Sequence, residues 1–200
     1  YVRGADVSQD EEALRWLEEV NDTIFTEYNR EEANLSPSLH EGYLDLGAFG
    51  TTVLNQEYTN GHLLFRTFPL AHCWIDENAD GEVDTLIRSI GMTTRQIFQQ
   101  FEPDKIPKDI HEAREKQPHK VWTILHAVHP RSDREYGKVD SKNKAFASCW
   151  VCCESKTLLK EGGYDEFPYH IPRWTKLAHE LYGRSPAMEC LPSIRMLNAM

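Results

Sequence analysis

The stretch that decides the fold of this chain reads Phe167-Pro168-Tyr169-His170-Ile171-Pro172-Arg173-Trp174, and Tyr182-Gly183-Arg184-Ser185-Pro186 follows it closely. Each proline fixes its own φ angle, removes a backbone N–H donor and biases the preceding residue away from helix. Ser185 and Pro186 together form a preferred helix start, with serine as the N-cap and proline at the first helical position. The sequence therefore predicts a stiff extended run, a rigid joint, that passes into a C-terminal helix.

Two amphipathic helices are predicted before this β-rich and proline-rich part. Ser8-Gln9-Asp10-Glu11 has the form of a capping box, and apolar residues then recur at helical spacing as far as Tyr28. Ser36-Pro37 opens a second helix whose apolar stripe extends to Val53. A short turn at Asn34-Leu35 would join the two helices as an antiparallel hairpin.

The second predicted helix is unusual because it contains glycine. A glycine inside a helix costs about 1 kcal/mol relative to alanine, so its presence needs a structural reason. We expect another helix or strand to pack very closely against Gly47, Gly50 and Thr51.

The central part of the chain has the alternating pattern of antiparallel strands. A turn at Asp80-Gly81 closes a predicted hairpin, and short helices are expected from Thr93 or Thr94 and over residues 107–116. Thr157-Leu158-Leu159-Lys160 followed by Gly162-Gly163 predicts a short strand and a turn. The order of elements predicts one α+β domain: a helical part over 8–56, a mainly β part over 61–174 forming an antiparallel meander, and the joint and helix over 175–200.

Composition limits the class of protein but does not identify it. The 200 residues are 40% hydrophobic and 27% charged, which is ordinary for a globular domain. No apolar run approaches the roughly 20 residues of a membrane helix, and no signal-peptide pattern is present. The first residue is Tyr1 and the helical pattern continues to Met200, so we expect a fragment of a longer chain. The clustered cysteines suit a reducing cytoplasm better than a disulfide framework.

The formal charge of −10 argues against a protein that coats nucleic acid. Such a role needs an excess of lysine and arginine on one face. The same charge permits a surface along which DNA slides without tight binding, although acidity also simply favours solubility.

Metal sites have two candidate positions, each with a plainer explanation. Asp76-x-Asn78-x-Asp80-Gly81 copies the first half of a calcium loop, but Ile87 stands where the bidentate glutamate belongs, so a hairpin turn is preferred. Zinc would require His126, His129, Cys149 and Cys152 to converge from two strands. Small buriable side chains in a strand explain the cysteines better.

Enzyme motifs are lacking in the sequence. A triad such as Ser148, His126 and Asp140 can be imagined in any chain of this size, but there is no nucleophile elbow, zincin motif or phosphate-binding loop. We therefore predict no catalytic residue and no cofactor.

The charged and aromatic residues of the joint have two possible roles. The guanidinium groups of Arg173 and Arg184 could bind a carboxylate or stack on Trp174 within a subunit contact of a ring. Alternatively they are ordinary surface arginines that cover an aromatic face. The sequence does not decide between these roles.

Five stretches in order resemble the head-to-tail connector, or portal, proteins of short-tailed bacteriophages. They are Leu46-Gly47-Ala48-Phe49-Gly50-Thr51, Glu77-Asn78-Ala79-Asp80-Gly81-Glu82-Val83-Asp84-Thr85, Pro168-x-x-x-Pro172-Arg173-Trp174, Tyr182-Gly183-Arg184-Ser185-Pro186 and Leu191-Pro192-Ser193-Ile194-Arg195-x-Leu197-Asn198. The resemblance covers nearly the whole chain.

The resemblance implies a structural subunit of a dodecameric ring at one capsid vertex of the virion, assembled in the host cytoplasm. Such a ring would be the conduit for double-stranded DNA, bound without sequence specificity, in genome packaging and ejection. It would dock the terminase motor, tail or adaptor proteins, and capsid and scaffolding proteins, with no membrane involved. The fragment would be the wing region, with its last helix leading toward a stem. Gly47, Gly50, Thr51, Arg173, Trp174, Arg184 and Pro186 are the expected packing or subunit-contact positions.

Two other functions compete with a ring subunit. One is a metal-binding module or metal-dependent enzyme built on His126, His129, Cys149 and Cys152. The other is a standalone adaptor that binds one partner through the acidic helical hairpin.

Overall fold

The computed structural model describes residues 11–59, 61–135, 137–138, 140–141 and 143–199. The helices are α1 (Glu11–Tyr28), α2 (Leu35–Phe49), α3 (Thr94–Gln100), α4 (Lys108–Lys116) and α5 (Pro186–Ala199). The strands are β1 (Val53–Thr59), β2 (His62–Phe68), β3 (Cys73–Glu77), β4 (Val83–Thr93), β5 (Val121–Pro130), β6 (Phe146–Cys152), β7 (Thr157–Tyr164) and β8 (Tyr169–His170). This confirms the predicted α+β class. Of the expected capping box, Ser8, Gln9 and Asp10 lie outside the described residues.

The strands form two sheets, both antiparallel. A five-stranded meander has the order β3-β4-β5-β6-β7, and a three-stranded sheet has the order β2-β1-β8. The predicted hairpin turn between β3 and β4 is confirmed, since the Asn78 side-chain oxygen accepts the backbone N–H groups of Asp80 and Glu82 at 2.9 and 3.0 Å. Gly81 takes the positive φ of 80° that this turn requires.

The core consists of two apolar clusters on one face of the meander. The first, which includes Ile97, Ile110 and Trp122, lies beneath α3 and α4. The second, which includes Val53 and Tyr169, joins the meander to β1 and β8. Between the clusters lies a row of polar and aromatic side chains, because Arg88, His126 and Trp150 stand opposite one another on β4, β5 and β6.

The predicted end of the second helix is wrong. The structure ends α2 at Phe49, where Gly50 adopts a positive φ of 76° and its N–H closes the helix on the Leu46 carbonyl at 3.0 Å. Val53 begins β1, so the expected boundary of the helical part at residue 56 lies inside a strand. A left-handed glycine is a common helix terminator, and here it outweighs the apolar periodicity.

The predicted turn at Gly162 and Gly163 is also wrong. β7 continues through both glycines to Tyr164, in register with β6. Added side-chain carbon at Gly163 would lie 2.6 Å from the Phe146 carbonyl oxygen, so this glycine permits close approach of neighbouring backbone rather than a turn.

The N-terminal helices attach to the three-stranded sheet unequally. α2 is fixed to β2, since Ser38 donates its hydroxyl to the Phe65 carbonyl at 2.9 Å and Thr67 donates to the Ser38 carbonyl at 2.6 Å. In α1 no side chain is buried. Its last residue, Tyr28, meets the ring of Phe65 edge to face at 5.7 Å. The described fold therefore leaves most of α1 uncovered.

Candidate functional site

The proline-rich segment packs against the end of α2. Three backbone segments meet there, at residues 50–52, 173–175 and 182–185, and we use the name joint for these residues from here on. The Trp174 N–H donates to the Gly50 carbonyl at 2.8 Å, and the Arg184 N–H donates to the Thr175 carbonyl at 2.7 Å. Thr51 pairs with Arg173, and Thr175 with Arg184, as isolated antiparallel bridges. The joint therefore ties the end of α2 to the start of α5 through main-chain bonds.

Two glycines allow these segments to approach each other. A side-chain carbon on Gly50 would lie 2.4 Å from the Arg184 carbonyl carbon, and one on Gly183 would lie 2.2 Å from the Gly50 carbonyl oxygen. Thr51, which is fully buried, accepts the Gly183 N–H on its hydroxyl at 2.8 Å. Gly50 and Thr51 thus lie at a close contact within the chain, made with the loop before α5, while a subunit contact by these residues stays a prediction.

Gly47 makes no close contact with the described residues of its own chain, so a subunit contact at this position stays a prediction. An added side-chain carbon there would meet nothing within 4 Å. Gly42, on the buried side of α2, faces Thr52 and Thr67 at ordinary van der Waals distances. Of the three glycines in this part of the chain, only Gly50, which follows the last residue of α2, is in a place where a side chain would clash.

Ser185 fixes the direction in which α5 leaves the joint. Its hydroxyl donates to the Ala48 carbonyl at 2.8 Å and accepts the Met188 N–H at 3.0 Å. Pro186 is the first residue of α5, as predicted. Because one buried hydroxyl caps α5 and also binds α2, the start of α5 is anchored to the end of α2.

Arg173 and Lys176 share the carboxylate of Glu77, at the end of β3. The Arg173 guanidinium binds Glu77 directly and also donates to the carbonyls of Leu181 and Gly81, each at 3.1 Å. Lys176 Nζ reaches the two Glu77 oxygens at 2.5 and 2.7 Å. Desolvation, followed by the neighbouring Arg173 charge, lowers the pKa of Lys176. This ion group attaches the joint to the β3–β4 hairpin.

The two predicted roles of the joint's side chains can now be compared. Arg173 is largely buried and binds a carboxylate within its own chain, so it is not a surface arginine covering an aromatic ring. Arg184 pairs with Glu180 at 2.6 Å in solvent. The Trp174 ring is 60% exposed, so a subunit contact by Trp174 stays a prediction.

The proposed zinc ligands do not converge. Because His126 stands opposite Trp150 in the β5–β6 register, it shares a sheet face with Cys152, while His129 and Cys149 lie on the other face. Within the described ranges no group of three or more His, Cys, Asp or Glu side chains could hold a metal ion. In the calcium-like loop, the side-chain oxygen of Asn78 accepts hydrogen bonds from the N–H groups of the turn itself.

His126 belongs instead to a buried hydrogen-bond chain. Its ring nitrogens contact the hydroxyls of Ser148 at 3.0 Å and Tyr169 at 3.2 Å, and its ring stacks on Trp150 at 4.0 Å. Burial, followed by the charge of Arg88, lowers the pKa of His126 to about 3. A histidine with such a low pKa is a poor general base. The imagined triad also fails, because the second hydrogen-bond partner of His126 is Tyr169 and not Asp140.

Sequence reasoning did not predict the contacts that Glu77, Gly183 and Ser185 make at the joint. All three lie within the quoted stretches, but nothing in the sequence shows which distant segment each one meets. Tyr182 is a further member, since its hydroxyl accepts the Ile75 N–H at 3.3 Å.

The fold and the joint together define a structural α+β domain, in which the side chains of the joint bind backbone groups and form ion pairs. The chain belongs to the bacteriophage head to tail connecting protein family, whose family model matches residues 2–200. It is 33% identical over 187 residues to the portal protein of Salmonella phage epsilon15, covering 91% of this chain and 33% of that protein. It is 31% identical over 172 residues to the probable portal protein of Bordetella phage BPP-1, covering 83% of this chain and 31% of that protein. The chain thus spans about a third of the length of these relatives.

Proposed function

We propose that this chain is the wing region of a portal subunit, which assembles into a closed ring of about a dozen copies at one capsid vertex. Its role is architectural: it fixes the geometry between the meander, α2 and α5. We assign it no reaction and no cofactor.

The observation that carries this proposal is the contrast between the braced joint and the uncovered helices on either side of it. None of the described side chains of α1 or α5 is buried. Both helices expose large apolar side chains, among them Trp16 at 62% and Leu197 at 68% exposure. Apolar helix faces of this extent are covered by other protein in a stable assembly. The braced joint holds α5 in a fixed direction for such contacts.

The wider partners follow from the same role. The ring would dock the terminase motor, tail or adaptor proteins, and the capsid and scaffolding proteins. In the part of the chain that the structure describes, no helix has the length and hydropathy needed to cross a bilayer. Assembly in the host cytoplasm and residence in the virion complete the proposal.

Translocating DNA would pass the ring without sequence-specific binding. The distribution of charge supports weak contact, because residues 11–45 contain ten acidic and two basic side chains, while residues 46–200 contain twenty and nineteen. Almost all of the net charge of −10 therefore belongs to the N-terminal helices. Phosphate groups are repelled by such a surface.

Electron microscopy and native mass spectrometry of the full-length protein test the proposal. The expected result is a closed ring of about a dozen subunits. A protein that stays monomeric or dimeric at micromolar concentration would contradict it and favour a standalone adaptor.

A further inference from the structure

α5 carries few charges and exposes apolar side chains along its length. Glu189 and Arg195 are its only charged residues, and none of its described side chains is buried. Met196 is 63% exposed, and Met188, Leu191 and Ile194 are each more than two fifths exposed. A helix that exposes this much apolar surface is normally covered by other protein. Its cover must therefore come from outside the described fold of its own copy.

A second uncovered apolar surface is a hollow, which we call the cup, beside the C-terminal end of α2. Its volume is about 520 Å³, and Phe49, Leu70, Trp74 and Tyr182 form most of its walls. Phe49 and Trp74 are each about half exposed. No residue of α5 lines the cup in this structure, although α5 begins close to Ala48. Because Ser185 fixes that start, the helix leaves its own cup unfilled.

The cup has one carboxylate in its lining. The carboxylate of Asp45 makes no ion pair or hydrogen bond with the described residues. Glu41 lies one helical turn before it. Burial, followed by the charge of Glu41, raises the pKa of Asp45. A cation brought to this side of the cup would relieve both effects.

One face of α5 has the matching chemistry. Met188, Leu191 and Arg195 follow one another at spacings of three and four residues, which places them on a common side of the helix. This face offers two apolar anchors and the only cation of α5. It thus complements an apolar cup flanked by carboxylates.

We propose that the Met188–Leu191–Arg195 face of α5 docks into the cup of the neighbouring copy, with Arg195 paired to the Asp45 of that copy. The inference rests on the proposed ring, since a ring needs two different surfaces on each copy that fit each other head to tail. The geometry is that of a helix lying in an apolar groove, with a charge pair that sets its register.

Charge reversal in the full-length protein tests the pairing. Arg195→Glu and Asp45→Lys should each lower the fraction of subunits in rings about tenfold at a concentration where the wild-type protein is half assembled. The double variant Arg195→Glu/Asp45→Lys should recover most of the rings. The matched control is Lys108→Glu, the same charge change on the exposed surface of α4. Mass photometry measures the assembled fraction, and circular dichroism checks that each variant is folded.

The outcomes separate this inference from the proposed function. A wild-type protein that forms no ring overturns the proposed ring and this contact with it. The contact alone is overturned in two cases, both of which require that the wild-type protein forms rings. In the first, Arg195→Glu and Asp45→Lys lower the assembled fraction no more than the control does. In the second, the double variant recovers no rings.

Crosslinking gives a second readout that does not depend on the charge variants. Subunits with Trp74→Cys are mixed with subunits with Leu191→Cys, both in a Cys190→Ser background, and treated with a short bismaleimide. The proposal predicts covalent dimers only in the mixture. Equal crosslinking in either subunit preparation by itself would contradict it.

Discussion

The joint is packed within one copy, whereas the helices α1 and α5 are left largely uncovered. In the joint, Thr51 and Ser185 are fully buried and every contact described above is made within one copy. In α1 and α5, no side chain is buried. The difference shows where the fold is complete by itself and where it leaves apolar surface for other protein.

The largest effect should follow from replacing Gly50. Gly50→Ala places a side-chain carbon 2.4 Å from the Arg184 backbone at a φ of +76°, so the joint must open. We expect the free energy of unfolding to fall by at least about 4 kcal/mol, measured by urea denaturation.

The matched control is Gly47→Ala, in the same helix. Open space surrounds this position, so alanine should be neutral or stabilising by up to about 1 kcal/mol. Equal losses from the two substitutions would show that the joint is not closely packed.

The next largest effect should be a loss of folding stability in acid. The pKa of His126 is about 3 in the folded chain, against an ordinary value of 6.5, so below pH 6.5 the unfolded chain binds a proton that the folded chain does not. Stability is therefore lost as the pH falls, by about 3 kcal/mol between pH 6.5 and pH 4 from this group. Urea midpoints measured across this range give the slope.

His126→Gln should flatten that slope, while His129→Gln, which keeps the buried imidazole, should preserve it. If both variants retained the wild-type slope, the acid sensitivity would have to come from carboxylates instead.

Glu77→Gln should have an intermediate effect. It removes the charge that Arg173 and Lys176 share, leaving a largely buried guanidinium without its counter-ion. We expect a loss of about 2 kcal/mol in the free energy of unfolding.

Glu180→Gln is the control for this ion pair, because the bond of Glu180 to Arg184 is largely exposed to solvent. A loss below about 0.5 kcal/mol is expected for it. Similar losses for Glu77→Gln and Glu180→Gln would remove the argument that Glu77 braces the joint.

The smallest effect should come from the uncovered helices. Trp16→Ala removes an aromatic side chain that is 62% exposed. The free energy of unfolding of residues 1–200, measured by thermal denaturation, should therefore change by less than about 0.5 kcal/mol. A large loss would mean that α1 is packed after all.

Sequence reasoning predicted the parts of the fold that depend on local signals. The Asp80-Gly81 turn, the start of α3 at Thr94 and the start of α5 at Pro186 were all readable because each depends on neighbouring residues. The end of α2 was missed, because apolar spacing continues through Gly50 to Val53 although the backbone turns there. Asn60-Gly61, a strong hairpin signal in the sequence, would have marked β1 and β2 on either side of it.

The joint was predicted as a segment but not as a set of contacts. A stiff backbone is a local property, and it was predicted from Pro168, Pro172 and Pro186. The partners of that backbone are Gly50, Thr51 and Glu77, which are about a hundred residues earlier in the chain. Because tertiary contact of this kind depends on the whole topology, the role of Glu77 could not be inferred from its neighbours.

Hydrogen–deuterium exchange of the full-length protein, compared between free subunits and assembled rings, tests the central claim most directly. Amides of the joint, at residues 50–52, 173–175 and 183–185, should exchange slowly and equally in both forms. Amides of α1 and α5 should become at least about tenfold slower in the ring. Protection that rises in the joint while α1 and α5 stay unchanged would contradict the account.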